Sequence, residues 1–178
     1  MNNIRSEDFT FPHLNPLLRM VVLFFAVFFI LHFAYQAASG TVVEKIIIDT
    51  ATVRPSAFFI NLLNSNEHVF AHGHRLISPY VRLSILNGCE GTESLFLIMA
   101  AIMAFKAPWR HKLVGLAWGV LIIYLANQVR IVALYFALRH DRGLFSALHG
   151  YIAPILIIAI GCLFYLLWIQ WSLQKTQA

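Results

Sequence analysis

Charge is the scarcest ingredient of this chain. Only 12% of its 178 residues are Asp, Glu, Lys or Arg, while 60% are hydrophobic and the mean hydropathy is +0.72. That balance excludes a soluble domain of this length and makes the chain an integral membrane protein. Internal repeats and low-complexity segments are also missing, which excludes a solenoid or a linker-rich array. The net charge of +5 and the pI near 9.5 come from basic residues dispersed along membrane flanks. With no basic helix and no groove of interleaved aromatics, a nucleic-acid partner is excluded and lipid headgroups take its place.

Long apolar runs are what the chain has instead. Crossing the hydrocarbon takes about 20 mainly apolar residues, and four stretches qualify: residues 17–38, 90–105, 113–138 and 147–171, the second being the shortest. The expectation is an all-α, polytopic bundle of four transmembrane helices forming a single integral membrane domain over 1–178. The first helix is longer than the apolar core of a signal peptide, and acids precede it, so it reads as retained. Lys106, Arg110 and Lys112 crowd one short loop, with Arg5 and Arg19 near the first helix and Lys175 in the tail. Their density puts both termini in the cytoplasm by the positive-inside rule, although opposing basic residues equal them in number. Residues 39–89 then form an extracytoplasmic segment. Within it, 55–63 reads as a short helix opened by Pro55, and 74–78 with 81–86 flank Pro79-Tyr80 as a β-hairpin, because Val81, Leu83 and Ile85 alternate with Arg82 and Ser84. Together these make a small outer cap.

Cysteine is nearly absent too. Cys162 lies 13 residues beyond His149, about 20 Å deeper at 1.5 Å per residue, whereas Cys89 sits at the outer rim. A disulfide needs Cα atoms within about 7 Å, so the two do not pair. Cys162 reads as a small core residue among Ile160, Gly161, Leu163 and Phe164. Cys89 is left as a free thiol facing a compartment where thiols become disulfides, and that asks for a reason.

Three residues supply one. Asn87-Gly88-Cys89-Glu90 has the form of a helix start, with Asn87 as N-cap and Glu90 reaching back. Cys89 in the first turn would feel the positive helix end, which favours the thiolate, opposed by Glu90 and Glu93. Arg130 falls within the third span, about 12 Å below its outer end at Leu138, and an arginine there is a functional-site hypothesis by default. Its donors suit a carboxylate or a developing oxyanion, with Asn127 one turn earlier on the same face. His149 opens the fourth span after Ser146 as its cap, and imidazole is the usual proton carrier near neutral pH. A nucleophile, a fixed cation and a proton carrier thus fall at one rim of the bilayer. Each residue also has a plainer role: Cys89 as a small residue at a helix start, His149 as an interfacial side chain, and Arg130 paired structurally with Glu90 or Glu93.

A rival constellation is His68, His72 and His74, where the first two are spaced to share a helix face. The usual Glu between paired histidines of a zinc peptidase helix is missing and Gly73 interrupts the run, so no metal or other cofactor is expected. A different class of reading is a non-enzymatic membrane subunit that chaperones exported proteins or polymers, with Glu90, Glu93 and Arg130 as a structural network.

The Cys-x-Gly at Cys89 to Gly91, the Asn-x-x-Arg at Asn127 to Arg130 and His149-Gly150, in this order, resemble the exosortase and archaeosortase family of membrane cysteine transpeptidases. The resemblance covers about half the chain. It implies Cys89 as nucleophile, Arg130 as oxyanion-binding cation and His149 as proton carrier. It also implies a bacterial inner membrane location and membrane-anchored substrates whose C-terminal sorting signal is cleaved through a thioester that an amine or water resolves. The Asn-Gly-Cys-Glu-Gly run is similar to the exosortase H subgroup, which implies signals of the Ile-Pro-Thr-Leu-x-x-Trp-Gly type.

Overall fold

A computed structural model describes residues 15–86 and 88–177. α1 (Pro16–Ala37) begins where Asn15 Oδ1 accepts the Leu17 N–H at 3.1 Å and Pro16 fills the first turn. α2 (Val42–Lys45), a π-helical turn (Ile46–Val53) and α3 (Arg54–Leu63) follow as one continuous helix. Three short antiparallel strands come next, β1 (Phe70–His72), β2 (Arg75–Ile77) and β3 (Arg82–Ser84), in that order across the sheet. α4 (Thr92–Ala104), α5 (Trp109–His140) and a last helix complete the described chain. That last helix is α6 (Arg142–Ala147), a π turn (Leu148–Ile152) and α7 (Ala153–Gln177).

By length and composition four helices are able to cross a membrane: Pro16–Ala37, Val42–Leu63, Trp109–His140 and Arg142–Lys175. The number matches the sequence expectation, but the membership does not. Thr92–Ala104 has only 13 residues, about 20 Å of rise. The helix expected over 55–63 extends back to Val42 because Pro55 does not open it. Proline lacks the N–H that would bond four residues back, at Ala51. The Ala51 carbonyl instead accepts from Tyr124 Oη at 2.8 Å and Gln128 Nε2 at 3.4 Å, both on α5, so the helix passes through its proline with that carbonyl satisfied. Pro154 stands in the same relation to the second π turn, which the Ala153 N–H to Leu148 carbonyl bond closes. A widened turn makes room where a proline ring would clash with the preceding carbonyl.

The long α5 organises two layers. Its first half packs with α4 and α7, and α1 packs on α4, around Ile98, Ile102, Ile123, Ile157 and Trp168. Its second half carries the other layer, in which Ile48, Val53, Ile60, Leu76 and Leu83 close on Ile131, Leu134 and Tyr135. The expected hairpin is present, with Arg75 opposite Ser84 and Ile77 opposite Arg82, and β1 adds a third strand. Glu67 clamps this layer to α5. It is fully buried, accepts hydrogen bonds from Asn64 Nδ2 (3.0 Å) and Tyr135 Oη (2.9 Å), and pairs with Arg139. Arg139 in turn lies 4.0 Å from the centroid of the Tyr80 ring.

Candidate functional site

Cys89 sits in a bend where β3 has ended and α4 has not begun. The helix starts at Thr92, with Gly91 at the N-cap and no side-chain cap, so Cys89 precedes the first turn instead of occupying it. Asn87, the expected cap, lies outside the described residues. The Cys89 N–H bonds the Leu86 carbonyl at 2.9 Å, which closes the bend.

One contact fixes that bend against α5. Asn127 Nδ2 donates to the Glu90 carbonyl at 2.7 Å. The approach is so close that a Cβ on Gly91 would lie 2.7 Å from Asn127 Cγ, and Gly91 has φ +87. Only glycine meets both demands. The Cys-x-Gly and Asn-x-x-Arg motifs are therefore two halves of one joint, and Arg130 follows Asn127 by about 4.5 Å along the helix.

Arg130 acts electrostatically on Cys89, favouring the thiolate, while burial of the half-buried thiol acts more strongly the other way. Glu90 and Glu93 add to the burial, and the thiol is pushed above its ordinary range. The expected helix-end activation is therefore outweighed in the free protein. Arg130 Nε is buried and has no hydrogen-bond partner among the described residues. Neither Glu90 nor Glu93 forms an ion pair with it there, so the structural Glu–Arg network does not form. Glu90 Oε1 accepts from Thr92 Oγ1 at 2.8 Å, and Glu93 is exposed.

His149 lies on the π turn, not in a regular first turn. The helix it belongs to begins at Arg142, capped by Asp141 accepting the Gly143 N–H at 2.7 Å; Ser146 does not cap it and instead bonds the Arg142 carbonyl. The exposed imidazole stacks on Phe145, with centroids 5.6 Å apart and planes 7° from parallel. Phe145, Leu148 and Cys89 all pack against the same core cluster. Arg130 thus acts electrostatically on Cys89, and His149 is tied through Phe145 to the core cluster that Cys89 also packs against.

Sequence reasoning missed Tyr35. It is buried at the last turn of α1, beside Glu90 and Thr92, and its hydroxyl makes no hydrogen bond of normal geometry. The buried polar side-chain atoms left without a partner among the described residues are Tyr35 Oη, Glu90 Oε2, Asn127 Oδ1 and Arg130 Nε. All four lie around the Cys89 bend, and unsatisfied buried polar groups in a native fold concentrate where strain or chemistry is held. A tyrosine at an apolar helix's end was the available signal.

His68, His72 and His74 do not share a helix. His68 is left-handed (φ 47), His72 ends β1, and His74 Nε2 accepts from Arg75 Nε at 3.3 Å. Among the described residues no three His, Cys, Asp or Glu side chains are placed to hold a metal ion. Cys162, expected in the core, is exposed.

Comparison with curated proteins and with solved structures finds no match. The profile of one protein family, described as Transmembrane exosortase (Exosortase_EpsH), matches residues 14–167. That span takes in nearly the whole described fold and every candidate residue, and the chain belongs to the transmembrane exosortase family.

Proposed function

We propose that this protein is a membrane-embedded cysteine transpeptidase that cleaves the C-terminal sorting signals of exported, membrane-anchored proteins. The carrying observation is the pairing of a free, half-buried thiol with Arg130, a cation that acts on it and whose buried Nε has no protein acceptor among the described residues. A donor kept unpaired beside a nucleophile suits an acceptor that exists only during reaction, the oxyanion of a tetrahedral intermediate.

In this reading His149 takes the proton from Cys89 and the thiolate attacks the carbonyl carbon of the substrate. Arg130 holds the oxyanion. As the intermediate collapses the C–N bond breaks, His149 returns the proton to the leaving amine, and the acyl group stays on Cys89 as a thioester. An incoming amine, or water, then attacks the thioester carbonyl and releases the thiol. Burial keeps the resting Cys89 protonated, which also slows its oxidation in an oxidising compartment. The site faces the extracytoplasmic side of the bacterial cytoplasmic membrane, both termini lie in the cytoplasm, and the signal is of the Ile-Pro-Thr-Leu-x-x-Trp-Gly type taken by the exosortase H subgroup.

Intact-mass analysis of the protein co-expressed with such a substrate tests the reading. A thioester adduct is expected on the native protein and not on Cys89→Ala, with little or no processing by Arg130→Lys, because a planar fork becomes a point charge. Full processing by Cys89→Ala would refute it in favour of a non-enzymatic subunit.

A further inference from the structure

The short α4 is enclosed on three sides only. α1, α5 and α7 all pack on it, yet between α1 and α7 a groove stays open along its length. Phe24 on α1, Ser94, Leu97 and Ala101 on α4, and Cys162 and Tyr165 on α7 line its upper part. A second hollow, sharing Phe24, Ala101 and Tyr165, continues it along α4 to Ala104. From Ser94 to Ala104 the groove runs about 15 Å along the helix axis. No charged side chain lines either hollow. Its floor presents Ser94, Ala101 and Ala104, short side chains that let a further helix backbone approach closely.

Position says what fits there. Ser94 lies in the first turn of α4, so the upper mouth opens directly below the Cys89 bend. On the far wall the π turn bearing His149 lies just above Ile157 and Ile158, which also line the groove. A chain that leaves this groove at its upper end emerges at the bend that carries Cys89. We infer that the groove seats the transmembrane helix of the substrate, so that the extended residues preceding that helix are delivered to Cys89. This rests on the transpeptidase reading and adds the surface that selects the substrate. A single apolar helix in the groove would complete the ring around α4, whose 13 residues are otherwise open to lipid on that side. It also converts a collision in the bilayer into a fixed register, the orientation that speeds an intramolecular step.

Cys162 gives the test, because it is a native thiol on the groove wall. The probe is a synthetic peptide in liposomes, Ile-Pro-Thr-Leu-x-x-Trp-Gly followed by a 20-residue Leu/Ala helix, with one cysteine moved along that helix. In the Cys89→Ala protein, copper phenanthroline should link Cys162 to peptide cysteines at helical spacing on one face and not on the opposite face. Linkage instead to Val129→Cys, on an exposed lipid-side position of α5, would overturn the inference. So would processing of the peptide by the native protein with no Cys162 adduct at any position, the pattern of a groove holding only lipid. Cleavage by the native protein is scored separately: adducts without cleavage would count against the transpeptidase reading and leave the docking groove standing. As a second readout, Ala101→Phe should raise the KM for the peptide at least tenfold while leaving the rate of Cys89 alkylation by a small soluble reagent unchanged. An unaltered KM in a folded Ala101→Phe protein would refute the groove.

Discussion

Replacing Gly91 by alanine tests the joint on which the candidate site depends. Two costs add. At φ +87 an L-residue carries about 1–2 kcal/mol of steric penalty. The new Cβ would also stand 2.7 Å from Asn127 Cγ, closer than side-chain carbons are found, so Asn127 must move and its 2.7 Å bond to the Glu90 carbonyl must break. Both groups are buried, and leaving them unpaired costs about 1–3 kcal/mol. Gly91→Ala should therefore destabilise the protein by about 2–5 kcal/mol. Asn127→Ala should cost the hydrogen-bond part alone. In the double variant that part is lost once, not twice, so the double should be no less stable than Gly91→Ala, with a coupling of about 1–3 kcal/mol between the sites. Unfolding by denaturant in detergent micelles, followed by tryptophan fluorescence, measures all four corners of the cycle. Strict additivity, or a Gly91→Ala protein within about 0.5 kcal/mol of native, would refute the argument that the Cys-x-Gly glycine is required by the approach of α5.

Other consequences are simpler. Because burial and the neighbouring carboxylates outweigh Arg130 at Cys89, alkylation of that thiol should keep rising with pH past the ordinary thiol midpoint; Glu90→Gln should shift the midpoint down and Arg130→Gln should shift it up, and shifts of the opposite sign would refute the electrostatic account. Glu67→Gln leaves Arg139 without its partner, a loss of about 2–3 kcal/mol once the partial exposure of Arg139 is allowed for, read as a lower unfolding midpoint; a neutral result would show that the clamp holds nothing. Tyr124→Phe removes the nearer donor to the Ala51 carbonyl and should cost about 1 kcal/mol, measured in the same unfolding assay, whereas no change would mean that Gln128 alone satisfies the carbonyl.

How much was legible from sequence follows from which signals are local. The spans of α1, α5 and α7 were readable because hydropathy over about 20 residues is a property of the segment itself, and the hairpin was readable because alternation at 81–85 sits beside a turn. The helix over Val42–Leu63 was not, since Asp49, Arg54 and Pro55 lower its hydropathy and proline usually marks a helix start. What rescues that helix is Tyr124 and Gln128, more than 70 residues away. β1 was hidden for a related reason. Phe70-Ala71-His72 falls in the histidine run that was weighed as a metal motif and set aside, and only pairing with β2 makes it a strand.

The site divides in the same way. Cys89, Arg130 and His149 could each be named, because a thiol, a guanidinium and an imidazole at span ends are chemically conspicuous. Their relation could not, since it depends on Asn127 meeting Gly91 and on Phe145 carrying His149 toward the core that Cys89 also touches. Nor could the sign of the thiol's shift. A helix capped at Asn87 would have activated Cys89 in its first turn, but the chain delays the helix to Thr92 and surrounds the bend with buried, unpartnered polar atoms. Such a site is poised and not preactivated. An incoming peptide that supplies acceptors to Arg130 Nε and displaces Cys89 from its apolar packing would bring its own activation with it, coupling nucleophilicity to occupancy of the groove below.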